Sequence, residues 1–343
     1  MKSRRLLQLD ALKALAAQAI VLHHLAAYGP VAEAVQAQWP ALIDWLYEHA
    51  RIAVQVFLVL GGYLAARSLS AETRPWPGLV MTRWLRLALP FMAAVAITLA
   101  CYAITASVLP QGLPELLPEN PVSLTQLLAH GLLLHDVLGY ESLTVGAWYV
   151  AIDLQLYALL AVLLLHARRA APWLALGLVV ASLALFNLDS SWDSWAVYFF
   201  GAYGMGALVW LWRDKRRHLL LALLAALSLA ALWLEWRERI ALAGITAALL
   251  AWNQGRAWQP GARLEAWVAY LGQHSYALFL IHFSVLLLVN TVFELESPDR
   301  PWLGVAAMAA AWLLSNLAAV PFHRWVEVPA SRLRWGLAQA RRA

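Results

Sequence analysis

The chain has 343 residues, 62% hydrophobic and only 13% charged, with a formal net charge of +5. A soluble globular domain carries about 25% charged residues, so the composition excludes one. The basic excess fits the cytoplasmic loops of a membrane protein rather than a nucleic-acid surface, and a single cysteine, Cys101, excludes an internal disulfide framework.

A crossing of the hydrocarbon needs about 20 apolar residues, with shorter ones tolerated. In chain order the expected spans are 9–28, 52–69, 84–108, 146–166, 172–188, 195–212, 219–234, 240–252, 267–292 and 302–322. The apolar stretch 124–138 is short and holds His130 and His135, which predicts an interfacial or re-entrant segment. The basic start and the small residues Ala32 and Ala34 resemble a signal peptide. Asp10, Lys13, Gln18, His23 and His24 interrupt the apolar run too often for one.

Charge bias orients these spans. With the N-terminus inside, cytoplasmic segments hold Lys2/Arg4/Arg5, Arg67/Arg74/Arg83/Arg86, Arg168/Arg169, Arg213/Lys215/Arg216/Arg217, Arg256/Arg263 and Arg324/Arg332/Arg334/Arg341/Arg342. The opposite loops hold Glu33/Asp44/Glu48, Glu115/Glu119, Asp189/Asp193 and Glu294/Glu296/Asp299. Lys and Arg concentrate on the cytoplasmic side, so both termini are expected there. The expected fold is an all-α, polytopic integral membrane protein of about ten transmembrane helices. It is one domain, 1–343, in contact with the lipid bilayer.

Ionisable groups at membrane depth cost several kcal/mol on most scales and mark functional sites. The first span carries Asp10 and Lys13, then ten residues, then His24, with His23 beside it. At about 100° per residue, Asp10, Lys13 and His24 share roughly a 60° arc of one face. Lys13 and His24 stand about 16 Å apart along the axis. The topology then predicts two tiers. Lys13, Arg83 and Arg86 form an inner basic tier suited to phosphates. His24, Asp153 and His282 form an outer tier suited to proton transfer, because imidazole titrates near neutral pH and a carboxylate can fix its tautomer. No metal site is expected. Each group also has a structural reading: Arg83 and Arg86 as interface anchors, Lys13 as a snorkelling side chain, Asp153 as an ion-pair partner, His282 as packing.

Leu9-Asp10-Ala11-Leu12-Lys13, ten residues and His24 together resemble the opening LDxLR…H of the membrane-bound acyltransferase 3 family. Five further stretches agree in order. Phe57 to Leu64 is similar to FFVLSGFL, and Arg83-Trp84-Leu85-Arg86 with Pro90 to RxxRLxP. Trp148 to Tyr157 is similar to WxLxxExxFY, Ser275 to His282 to SYxxYLxH, and Glu327-Val328-Pro329 to a terminal ExP. The sequence departs from the pattern at Lys13 (arginine in the family), Gly61 (serine), Asp153 (glutamate) and His23 (usually aromatic).

The resemblance implies O-acylation, with acetyl as the expected group, of a hydroxyl on a cell-envelope glycan or related acceptor. It implies acyl-CoA as the cytoplasmic donor, no tightly bound cofactor, and a bacterial inner (cytoplasmic) membrane location. His24 is then the catalytic histidine, with Asp153 orienting it; Lys13, Arg83 and Arg86 contact the donor. Asp10, His23, Tyr157 and His282 are accessory positions. His24 either removes the acceptor hydroxyl proton or accepts the acyl group itself. A homo-oligomer and a separate extracytoplasmic partner both stay open. The rival readings are a proton-coupled carrier or flippase, a bis-histidine haem protein, and an inactive assembly partner. Substrate accumulation without acyl-CoA would favour the first; a missing Soret band removes the second.

Overall fold

Each of the ten expected spans coincides with a helix in the computed structural model, which describes residues 7–113, 116–214, 216–256, 258, 260–296 and 301–335. The helices are α1 (Leu7–Ala27), α2 (Gly29–Gln36), α3 (Pro40–His49), α4 (Val54–Leu69), α5 (Trp76–Val108), α6 (Leu124–Gly131) and α7 (Ala147–His166). They continue as α8 (Ala171–Ala184), α9 (Ala196–Leu211), α10 (Arg217–Leu234), α11 (Glu238–Asn253), α12 (Ala262–Glu296), α13 (Pro301–Phe322) and α14 (Val328–Ser331). A π-helical turn, His323–Glu327, joins the last two. Among the described residues there is no strand. Of the charges in the topology count, Lys2, Arg4, Arg5, Glu115, Lys215, Asp299, Arg341 and Arg342 lie outside the described residues.

Among the described residues, seven helical stretches are long and apolar enough to cross a membrane, and an eighth is formed if α1 and α2 count together. Helices α9 and α11, both expected as spans, have 16 residues each. At 1.5 Å per residue that is about 24 Å, short of a hydrocarbon core of about 30 Å. Helix α9 is buried along nearly its whole length, so its neighbours rather than lipid set its length.

Two local features differ from the sequence reading. Helix α5 starts at Trp76, eight residues before the expected Trp84, with Pro77 in the first turn, where its missing N–H costs nothing. Arg83 and Arg86 are therefore inside the helix rather than at its mouth. Helices α1 and α2 meet at 86°, a break made by Gly29 at φ +82 followed by Pro30. The freed Val31 N–H donates to Asn290 Oδ1 of α12 at 3.0 Å, so the bend is tied to that helix. Segment 124–138 forms the short helix α6 and a tight turn rather than a full-length span, and His130 and His135 are fully buried in the protein. They stack on each other with centroids 4.2 Å apart and lie against the Phe91 ring.

The centre of the bundle is α4, α5, α7 and α9, where Leu58, Leu60, Phe91, Ile152, Leu156, Phe200 and Tyr203 are almost fully excluded from solvent. Small residues let α4 and α9 touch backbone to backbone. A Cβ added at Gly62 would overlap the Tyr203 carbonyl, and one added at Gly206 would overlap the Val59 carbonyl. Gly62→Val and Gly206→Val are each expected to abolish the monodisperse peak of detergent-purified protein on size exclusion, because backbone cannot yield as a side chain can. A wild-type profile for either would show that α4 and α9 are not locked there.

Candidate active site

Helix α1 delivers His24 and helix α12 delivers His282 to one buried point. Their rings lie nearly parallel at 12° with centroids 4.9 Å apart, and His24 Nδ1 is 2.8 Å from His282 Nε2. The proton order follows from the outermost partner. His282 Nδ1 lies 3.1 Å from the Leu278 carbonyl, which can only accept. In a neutral pair His282 Nδ1–H therefore donates to Leu278, its Nε2 accepts, and His24 Nδ1–H donates to it. That leaves the lone pair of His24 on Nε2, where no described residue hydrogen-bonds it.

His24 lines a cavity of about 1010 Å³ open on one side. Its wall includes aromatic faces from Tyr28, Trp148, Tyr149, Tyr198, Phe199 and Phe279, carboxylates from Glu48, Asp136, Glu141, Asp193 and Glu238, and guanidinium donors from Arg51, Arg237 and Arg239. Flat rings beside hydrogen-bond acceptors suit a molecule with alternating apolar faces and hydroxyls. His23 also lines the cavity, with its Nδ1 3.3 Å from the Leu46 carbonyl and its ring against Tyr47. Of the two adjacent histidines, His24 is the one joined to a second imidazole.

Asp153 lies elsewhere than expected. It does not orient His24; its Oδ2 accepts from Arg83 Nη2 at 2.5 Å and from Arg83 Nε at 3.1 Å. The earlier start of α5 brings Arg83 level with the middle of α7, where a buried carboxylate needs a cation. The Arg83 guanidinium also lies over the Tyr157 ring, 5.3 Å from its centroid. On the far side are Tyr203, whose buried hydroxyl has no partner among the described residues, and Gly61. A Cβ at position 61 would stand 3.7 Å from Asp153 Oδ1 and 3.2 Å from the Tyr203 ring, so Gly61 and Asp153 are neighbours in space. A side chain at position 61 would therefore press on the Tyr203 ring and stand beside the Asp153 carboxylate.

Arg83, Arg86 and Tyr157 line a second, smaller cleft of about 130 Å³ with Ser68, Glu72, Arg74 and Thr82. Tyr149 belongs to the large cavity and Tyr157 to the small cleft, and Asp153 lies one helical turn from each on α7. The Arg83–Asp153 pair therefore stands between the two openings. Lys13 lines neither: its Nζ is 4.0 Å from Asp10 Oδ1, one turn away on α1. The two tiers are thus divided differently from expectation, with Asp153 joined to the arginines and His282 joined to His24.

Two further polar groups stand at or beside the large cavity. Gln55 is buried on α4, lines the large cavity and makes no hydrogen bond to any described residue. As the one polar residue in Ile52-Ala53-Val54-Gln55-Val56-Phe57, it carried a readable signal. His135, which the sequence reading gave no role, is buried with no hydrogen bond at either ring nitrogen among the described residues, and its Nε2 is 3.6 Å from Asp136 Oδ2 at the cavity wall. Burial and the adjacent His130 hold His135 down to about 3, while burial and the charge of Asp193 push Asp136 up to about 6. A carboxyl raised above its unfolded value costs stability as the pH climbs from about 4 through about 6. Asp136→Asn is therefore expected to raise the melting temperature at pH 7.5 and to leave it unchanged at pH 4. Equal melting of both proteins at pH 7.5 would show that Asp136 ionises without strain.

A family model described as an acyltransferase domain matches residues 6–320. No curated protein and no solved structure matches the chain. The match runs from the start of α1 almost to the end of α13, so it takes in both histidines, the arginine pair and the whole helical core between them. With apolar helices long enough to cross a bilayer and a family match over nearly its full length, the chain belongs to the acyltransferase 3 family of multi-pass membrane acyltransferases.

Proposed function

We propose that this protein moves an acyl group, acetyl in the simplest case, from cytoplasmic acyl-CoA to a hydroxyl of a cell-envelope glycan or related acceptor at the outer face of the bacterial inner membrane. All ten spans cross in this reading, with both termini inside. The observation that carries it is the His24–His282 pair, which leaves an unprotonated Nε2 beside a large cavity lined by rings and carboxylates. The arginine cleft on the other side of the Arg83–Asp153 pair receives the donor.

In the direct version, His24 Nε2 takes the acceptor hydroxyl proton while the oxygen attacks the thioester carbonyl. The C–S bond breaks, an ester forms, and the CoA thiolate recovers the proton from His24. In the covalent version, Nε2 attacks the thioester first and CoA leaves as its thiolate; the acceptor hydroxyl then cleaves the acyl-imidazolium, regenerating the imidazole while the hydroxyl proton passes to the thiolate. Both need Nε2 unprotonated, the state that His282 enforces. Gln55, with its amide free at the cavity wall, is placed to bind either the acceptor or the carbonyl oxygen. Rapid quench of protein mixed with radiolabelled acetyl-CoA, without acceptor, separates the versions: label retained on the protein identifies the covalent one.

The test of the whole reading is mass spectrometry of envelope glycans and lipids from cells with and without this chain. Loss of an acyl mass from one glycan class, restored by the wild-type gene, is the expected result. Unchanged glycans together with uptake or export of a solute that needs no acyl-CoA would favour a carrier.

A further inference from the structure

Two helices begin at the large cavity. Helix α7 starts at Ala147 behind Gly146, and no side chain caps it. Its head lines the cavity through Thr144, Val145, Gly146, Trp148 and Tyr149. The first N–H groups of a helix have no partner within it and carry its partial positive charge. The Trp148 N–H is one of these, and nothing among the described residues accepts from it. Helix α4 starts at the same cavity with Gln55 in its first turn, 5% exposed and without a hydrogen bond to any described residue. The Phe57 and Tyr149 rings, one from each helix, lie 6.1 Å apart, so the two first turns stand side by side.

Both turns are close to the histidine pair. Gly146 has φ +75, and a Cβ added there would stand 2.5 Å from the Phe279 ring, so the head of α7 rests its backbone on that ring. Phe279 precedes His282 by about one turn of α12, and their rings are 6.3 Å apart. One aromatic ring therefore separates the start of α7 from the imidazoles. The groups that meet here are uncharged. The Glu141 carboxylate, three residues before Thr144, is turned to the Glu119 N–H at 3.4 Å. The Thr144 hydroxyl is buried without a partner among the described residues. Buried polar groups left unpaired are costly, and native proteins keep them where function uses them.

We propose that the Gln55 amide and the Trp148 N–H form an oxyanion hole for the acyl group transferred at His24. This rests on the acyl-CoA reading above. When the acceptor oxygen or His24 Nε2 bonds to the carbonyl carbon, the π pair of the C=O bond moves onto its oxygen. The two N–H groups donate to that alkoxide. As the alkoxide re-forms the double bond, the C–S bond breaks and CoA leaves as its thiolate. Donors fixed in advance in a water-poor site favour this charged state over the neutral thioester, so they act on kcat. The role is specific to a donor: a carboxylate at position 55 would bind an acceptor hydroxyl as well as an amide does, but would repel an alkoxide.

The test uses the full chain in everted membrane vesicles of cells that make both the protein and its acceptor, with vesicles lacking the chain as the blank. The probes are acetyl-CoA and its dithioester analogue, in which sulfur replaces the carbonyl oxygen. Gln55→Leu is expected to lower kcat with acetyl-CoA about 10²–10³-fold, the usual cost of one lost oxyanion donor, with KM nearly unchanged. Gln55→Glu should lose at least as much. Sulfur accepts hydrogen bonds weakly, so the wild-type preference for the oxygen substrate should shrink in Gln55→Leu, a change that a merely structural role would not produce. Gln55 has no hydrogen bond to lose, so the melting temperature of Gln55→Leu should not fall below that of the wild type. A Gln55→Glu protein with wild-type kcat overturns the proposal and makes Gln55 an acceptor ligand. So does an unchanged oxygen-to-sulfur preference in Gln55→Leu. Wild-type vesicles that release no CoA above the blank remove the acyl-CoA reading first, and the oxyanion hole with it.

Discussion

Replacing His24 by alanine is expected to lower kcat for acyl transfer by about 10²–10⁴-fold, the usual worth of a positioned general base, with a well-folded protein left behind. The expectation rests on the tautomer chain from Leu278 through His282, which makes Nε2 of His24 the only basic imidazole atom of the pair that opens on the large cavity. His282→Ala should cost less, because His24 keeps its place but loses the group that fixes its proton. The signature of that positioning role is a pH profile, not a bare loss. Without His282 the acidic limb of kcat/KM should move, as Nδ1 and Nε2 of His24 compete for one proton. An acyl-transfer assay across pH 5 to 9 on both variants reads this. Full activity in His24→Ala would remove the proposed chemistry; an unmoved profile in His282→Ala would reduce His282 to packing.

The second large effect lies at the partition. Asp153→Leu leaves the Arg83 guanidinium without its carboxylate in the middle of the bundle. Breaking a buried pair by removing one member costs about 3–5 kcal/mol. The Arg83 side chain keeps 34% of its exposure through the small cleft, so a value near the bottom of that range, about 3 kcal/mol, is expected. The double variant Arg83→Met, Asp153→Leu should recover most of that stability, since apolar replacement of both members leaves no stranded charge. Transfer should stay lost in both. Melting followed by tryptophan fluorescence in detergent, beside the acyl-transfer assay, separates the two effects. If the double variant regained activity with stability, the pair would be a fold element only.

Much of the bundle was legible because hydropathy and helix length are local. The short α6 segment also carried a plain signal, whereas the sequence reading passed over the break at Gly29-Pro30 although the dipeptide marks it. The start of α5 was misplaced because Arg83 and Arg86 interrupt its apolar run, although Trp76-Pro77 marks the first turn. Span topology put His24 and His282 at one depth, but their direct contact, between residues 258 positions apart, depends on how α1 and α12 pack. The opposite error arose at Asp153: a carboxylate near the outer end of a span was assigned to the histidine at similar depth, whereas an arginine on a lengthened helix reached it first.

The partition has an electrical consequence. From Tyr149 to Tyr157, α7 rises only about 12 Å between the wall of the large cavity and the wall of the small cleft. In the topology proposed above the two openings face opposite solutions, so a voltage across a hydrocarbon core of about 30 Å would fall mainly over this thin wall. The field on Arg83 and Asp153 would be about two and a half times that in an unbroken slab. A unit charge carried through it is worth about 2.3 kcal/mol per 100 mV. Paired, Arg83 and Asp153 are neutral together and hold their place in such a field, whereas either one alone would set a full unit of charge in it.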